Sequence, residues 1–288
     1  MSMQFLVIQI FNGVVVGMIY VLMAMGLSIV WGMMDIINFC HGLFYTLGAY
    51  LAYTVMSVTG DFFIGLVVAP LAVGILGALF EMTLLRRLYR VNIVYQVLMT
   101  FGIALMGREL IVMIYGPVGK SFVAPEILSG VFSVGDIFFP KYRIFILAVA
   151  ILLIAGTWLF IEKTRYGSFI RAGTENAEMV SALGVNIHRT FSLVFGLSMG
   201  IAAFSGVLSA PIRGVEFMMG ENIMGICFAV VILGGLGSFW GAVLGGVIVG
   251  VAQSLVALVL PQASVIVIFL VMAVVLLVRP KGLLGVRD

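Results

Sequence analysis

Runs of apolar residues long enough to cross a lipid bilayer follow one another along this chain, separated by short polar intervals. They fall near 5–31, 43–58, 62–85, 92–115, 143–161, 189–210, 222–236, 238–259 and 264–278. A helix needs about 20 such residues to span the hydrocarbon core. None of the runs shows the alternation of a barrel strand, so helices are expected. Composition agrees: 63% of residues are hydrophobic and 9% charged, against roughly 25% charged in a soluble domain. The expected fold is all-α, a polytopic transmembrane helical bundle of about 8–10 spans, some broken or re-entrant. It forms one membrane domain over residues 1–288 and carries a short cytoplasmic helix. Met1–Gln4 has no Lys or Arg, so no cleaved signal is expected and the first span is retained.

Basic residues orient such a bundle. Arg86, Arg87 and Arg90 follow the third run, Lys163, Arg165, Arg171 and Arg189 surround the longest polar interval, and Arg279, Lys281 and Arg287 follow the last. Alternating crossings put all of these on one side, leaving Lys120, Lys141, Arg143 and Arg213 on the other. The richer side is expected to be cytoplasmic, with the C-terminus inside; nine crossings would put the N-terminus outside.

Three intervals stand out. Residues 32–42, Gly-Met-Met-Asp-Ile-Ile-Asn-Phe-Cys-His-Gly, are too polar for mid-span and too apolar for a free loop. They fit a broken or re-entrant helix or, equally, a tight interfacial turn capped by Asn38 and His41. Asn38 and His41 are the candidates for organising that backbone or lining a path. Residues 116–141 form an outer loop whose Pro, Gly and aromatic mix fits a small hairpin or short helix. In Val231–Gly246, Gly234, Gly235 and Gly237 should break a helix, and Gly241-x-x-x-Gly245 lets helix backbones approach closely. No Gly-Lys-Ser/Thr follows these glycines, so they are not a phosphate cradle.

Charges within the runs are few. Arg108 and Glu109 are placed near the outer end of the fourth run and, as sequence neighbours, are not expected to pair. Glu81 is expected to serve as an interfacial anchor. No paired carboxylates or Asp/His relay marks a proton-driven pump. No catalytic constellation and no metal site is expected, and Cys40 and Cys227 form neither a disulfide framework nor a zinc pattern.

Residues 162–188 are the cytoplasmic segment with helical signals of its own. Ser168 can cap its start and Gly184 can stop it. Ile170, Gly173, Ala177, Val180 and Leu183 recur on one face, with Arg171, Thr174, Glu175, Asn176 and Glu178 opposite. The mixed charge favours docking to a protein groove over lying on lipid.

The sequence resembles the permease subunits of bacterial ABC importers for branched-chain amino acids, of the LivH type. The matching stretches are Gly26–Gly42 with Leu47-Gly-Ala-Tyr50, Thr164-Arg-Tyr-Gly through Ala182-Leu-Gly-Val-Asn186, Val231–Gly246, and Arg279-Pro-Lys-Gly-Leu-Leu-Gly285. Cys40 departs from the family, where a small residue is commoner. The resemblance implies an inner-membrane permease domain in lipid, working with a second, dissimilar permease of LivM type. Two cytoplasmic ATPases and a periplasmic solute-binding protein would complete the assembly. ATP and Mg would be bound by the ATPases, leaving this chain without a cofactor or enzymatic activity, and nucleic acid has no part. Arg171, Ala172, Thr174, Glu175, Asn176, Met179 and Gly184 would belong to the element that couples it to the ATPases. The alternative is an ATP-independent channel or facilitator for a small polar solute such as urea or an amide.

Overall fold

The computed structural model describes residues 3–89, 91–135 and 137–285, with side chains given for all but Val134 and Ala177. Arg90 and Arg287, counted above among the basic residues, lie outside them. Each apolar run is a helix: α1 Met3–Met34, α2 Cys40–Thr59, α3 Phe62–Thr83, α4 Ile93–Tyr115, α5 Lys141–Lys163, α7 Ile187–Arg213, α8 Met219–Gly234, α9 Phe239–Val259 and α10 Ile266–Val278. The polar helix α6 spans Arg165–Ala182. Six of these elements are long and apolar enough to cross a membrane, namely α1, α3 with the turn after it, α4, α5, α7 and α9. The shorter helices α8 and α10 have 16 and 13 residues. Between α4 and α5 lies an antiparallel hairpin, β1 Val131–Val134 and β2 Ile137–Pro140, preceded by a single 3-10 turn at Glu126–Leu128.

Contacts define two ends of the bundle. At the hairpin end, Phe11 near the start of α1 meets Phe139 of β2 edge-on at 4.8 Å, and Lys120 pairs with Val215 ahead of α8. At the basic end, Arg86 after α3 reaches Ser192 of α7. There too, Leu283 and Leu284 donate backbone hydrogen bonds to Leu233 and Gly234 at the end of α8.

Glycines permit close helix crossings in a core that gains little from burying apolar groups out of lipid. A Cβ on Gly196 of α7 would lie 2.8 Å from the Gly74 carbonyl of α3, and one on Gly17 of α1 would lie 2.8 Å from the Gly246 carbonyl of α9. The turn between α8 and α9 takes positive φ at Gly235 (103°) and Gly237 (75°), a conformation costly for side-chain-bearing residues. Ser238 then caps α9 by accepting from the Gly241 N–H at 3.1 Å. Gly234 and Gly241 lie against each other across this turn, and Gly245 faces the Val230 carbonyl.

Candidate functional site

Two regions concentrate the polar and strained features, and the break between α1 and α2 joins them. Asp35 ends α1 with φ 52°, the one non-glycine residue at positive φ among the described residues. Asp tolerates the left-handed region better than bulky residues. The chain then runs without helix to Phe39 before α2 begins. Thr100 sits seven residues into α4, about 10 Å along its axis, and its hydroxyl and carbonyl meet the Phe39 N–H and Cys40 Sγ at 3.4 and 2.8 Å. The break therefore lies inside the bundle, in the manner of a broken helix. Protein groups supply partners for part of its backbone: the Thr100 hydroxyl lies within 3.4 Å of both the Phe39 N–H and the Ile37 carbonyl, as burial away from water requires.

Asn38 and His41 are both fully buried. Asn38 Oδ1 accepts from the Cys40 N–H at 3.0 Å, which turns the chain into α2, and its Nδ2 faces Met199 Sδ at 3.8 Å. His41 bonds the Met23 carbonyl of α1 through Nε2 at 3.0 Å, so that nitrogen carries the hydrogen. Nδ1 is buried without a partner. His41 therefore bridges α2 to α1 and caps no helix.

The first region is α6, seated on the ends of α1, α5 and α7. Its N-cap is Thr164, whose Oγ1 accepts from the Gly167 N–H at 3.0 Å. Ser168, expected as the cap, lies one turn inside, because helical geometry continues back to Arg165. The end behaves as expected from Gly184, which has φ 85°. Ile170, Gly173 and Val180 form the inward face. Leu183, expected with them, is 78% exposed, because α6 ends at Ala182 and Leu183 is already its C-cap residue. The helix is also not continuous. Asn176 leaves helical geometry (φ −157°, ψ 96°) and caps a second short helix, accepting from the Met179 N–H at 2.8 Å. The second helix still turns Val180 inward with Ile170 and Gly173. Asn is among the best N-cap residues and a poor helix-interior one, which is the signal that sequence reading passed over.

Arg171, Ala172, Thr174, Glu175, Asn176, Glu178, Met179 and Gly184 are all exposed. Arg171 is not free: it donates to the Ile161 carbonyl and lies 3.6 Å from Glu162, pinning the α5–α6 corner. Gly173 meets both neighbours, since a Cβ there would stand 3.1 Å from Met33 Cε and 3.3 Å from Ile187 Cδ1. Thus α6 touches the last turn of α1, one residue from where the break begins.

The second region is a cavity of about 270 Å³ between α2, α4 and α8. Gly42, Leu43 and Thr46 line it from α2; Phe101, Ala104, Leu105 and Arg108 from α4; and Gly220, Glu221, Met224, Gly225 and Phe228 from α8. Phe39 lies between Phe101 and Phe228, with ring centroids at 5.9 and 5.0 Å. Towards the hairpin end, Arg108 Nη1 contacts Glu221 at 3.0 Å and Nη2 contacts Glu109 at 2.7 Å. The neighbours Arg108 and Glu109 do pair, against expectation. The long guanidinium arm folds back to a carboxylate whose own Cβ points elsewhere. Glu81 also departs from a simple interfacial anchor: it is fully buried and bound by Arg86 at 3.0 Å, Ser192 at 2.5 Å and the Tyr89 hydroxyl.

The fold, with its long apolar helices and one polar helix at the basic end, defines a multi-pass membrane protein. The chain belongs to the family described as branched-chain amino acid transport system, permease component, which matches residues 9–276. It is 30% identical to the high-affinity branched-chain amino acid transport system permease protein LivH of Salmonella typhimurium, over 99% of this chain and 98% of that protein. BraD of Pseudomonas aeruginosa, of the same description, is 31% identical over 96% of this chain and 95% of its own. Similarity extends at 26% identity to LivM of Escherichia coli, a permease protein of the corresponding high-affinity system, over 93% of this chain and 68% of that protein. No solved structure matches the chain.

Proposed function

We propose that this chain is the permease subunit of an ATP-driven ABC importer that moves branched-chain amino acids inward across a bacterial inner membrane by alternating access. The observation that carries the reading is α6: an exposed polar helix packed through Gly173 against Met33, beside the break that leads to α2. In this reading the basic end is cytoplasmic and carries the C-terminus. The exposed residues Glu175, Asn176 and Met179 dock in a groove of one of two ATPase chains, which bind ATP and Mg. A second permease of LivM type completes the path. A periplasmic binding protein delivers solute to the hairpin end, where residues 116–141 and 211–221 face it.

Inward and outward states need different contacts for nucleotide binding to shift their balance. Displacing α6 changes its contact with the end of α1, and the break lets α2 move relative to α1 without bending a continuous helix. Asn38 and His41 hold the break in register and tie it to α1 and α7.

Glu175→Arg tests the docking surface without disturbing the Arg171 corner. The expected result is loss of ATPase co-purification and of ATP-driven leucine uptake in proteoliposomes, with the permease itself still folded. Intact uptake and co-purification would refute the assignment of α6. Leucine flux by this chain alone, without ATP or partners, would instead establish a facilitator.

A further inference from the structure

The cavity between α2, α4 and α8 is chemically two-sided. Arg108 and Glu221 line its hairpin end. Seven residues along each of these antiparallel helices, about 10 Å away, the rings of Phe101 and Phe228 close around Phe39. A fixed cation and anion stand at one end, and an aromatic floor at the other. The intervening walls are apolar, apart from Thr46.

We propose that this cavity is a solute site for a zwitterionic amino acid with an aliphatic side chain. The proposal rests on the reading of the chain as an amino-acid permease. The solute carboxylate binds Arg108, its ammonium binds Glu221, and its side chain lies on the ring of Phe39. The volume of about 270 Å³ falls below the roughly 300–1,000 Å³ of drug-sized pockets, as a small solute requires.

The protein's own ion pair explains how such a site works without trapping its ligand. Glu109 holds Arg108 through both Nε and Nη2, leaving Nη1 to Glu221. A zwitterion can insert into the Arg108–Glu221 contact while each protein charge keeps an opposite partner. No charge is stranded at any stage, which would otherwise be costly. The side chains of Arg108 and Glu221 are 26% and 40% exposed, so the contact exchanges readily. Glu221 also lies in the first turn of α8, where the helix dipole favours an anion, including the solute carboxylate beside it. A lipid chain would have no use for this paired charge.

The floor belongs to the moving part. Phe39 is carried on the break between α1 and α2, whose other end lies one residue from the Met33–Gly173 contact with α6. Displacing α6 would thereby reach the floor of the site.

The test is site-directed labelling in the permease pair with its ATPases, the binding protein being left out so that it cannot sequester solute. Ala104→Cys and Met224→Cys place thiols on opposite walls, on α4 and α8. Cys40 and Cys227 are buried, so the unsubstituted complex supplies the blank. A small thiosulfonate reagent is applied alone, with L-leucine, with isocaproate (no ammonium) and with isoamylamine (no carboxylate). Leucine is expected to slow labelling several-fold at both positions, each half-analogue less, and Arg108→Gln to abolish the protection. Unchanged rates with leucine at both positions, or equal protection by the half-analogues, would overturn the proposal. Leucine uptake by the complete unsubstituted transporter separates the two levels. Uptake without protection refutes this site and leaves the permease reading standing. Neither uptake nor protection refutes both.

Discussion

Ser192 Oγ donates a 2.5 Å hydrogen bond to Glu81 Oε2, joining the first turns of α7 to the last turn of α3 inside the bundle. Arg86 reaches the same oxygen and also Ser192, at 3.0 and 2.6 Å. The carboxylate is fully buried while Arg86 is 32% exposed. Removing the acid therefore leaves a cation that can still turn towards water. Glu81→Ala is expected to destabilise the protein by about 2–3 kcal/mol, below the full cost of breaking a wholly buried pair. Glu81→Gln, which keeps an acceptor for Ser192, should lose less. Thermal unfolding of the two variants in detergent checks the order, and equal midpoints would contradict it.

Gly173 is the point where α6 meets α1. Gly173→Val would force its new methyls onto Met33 and Ile187. The expected outcome is about a tenfold drop in leucine transported per ATP hydrolysed. The ATPases should remain bound, because the exposed face is untouched. Paired measurements of uptake and hydrolysis in proteoliposomes decide it; an unchanged ratio would exclude coupling through this contact.

Phe39→Ala removes the middle ring of the aromatic floor. Phe39 is only half-buried, so the packing loss should be modest, about 1–2 kcal/mol, against 3–5 for a fully buried ring. The effect on transport should be larger. ATP-independent leucine leak is expected from the variant and not from the parent, read as efflux of labelled leucine from loaded proteoliposomes. A tight variant would show that the floor is made elsewhere.

His41→Ala should cost about 2–4 kcal/mol, through the cavity it leaves and the lost bond to the Met23 carbonyl. If His41 only ties α2 to α1, the surviving folded protein should transport leucine with an unchanged ratio to ATP hydrolysis. A changed ratio at intact folding would assign His41 a part in the path.

Much of this architecture was legible because lipid imposes simple rules. Every apolar run became a helix, and the Gly234–Gly237 cluster ended one helix where backbone freedom was needed. Asn176 escaped notice because a cap inside a polar helix competes with a pattern that reads as continuous. The Arg108–Glu221 contact joins residues 113 apart in sequence, and nothing local announces such a pairing. Glu81 looked like a boundary residue because its partners Arg86 and Tyr89 are near in sequence. Ser192, which fixes it inside the bundle, comes from a distant helix.

The close crossing of α1 with α9 has a consequence for how the protein is made. Gly13 and Gly17 lie against Gly246, Gly250 and Val251, so α1 meets its main neighbour only after α2 to α8 have been made. Until then α1 must wait in the bilayer with its glycine stripe uncovered. A chain that stops before α9 leaves that glycine stripe bare, although α5, α7 and α8 still pack on α1.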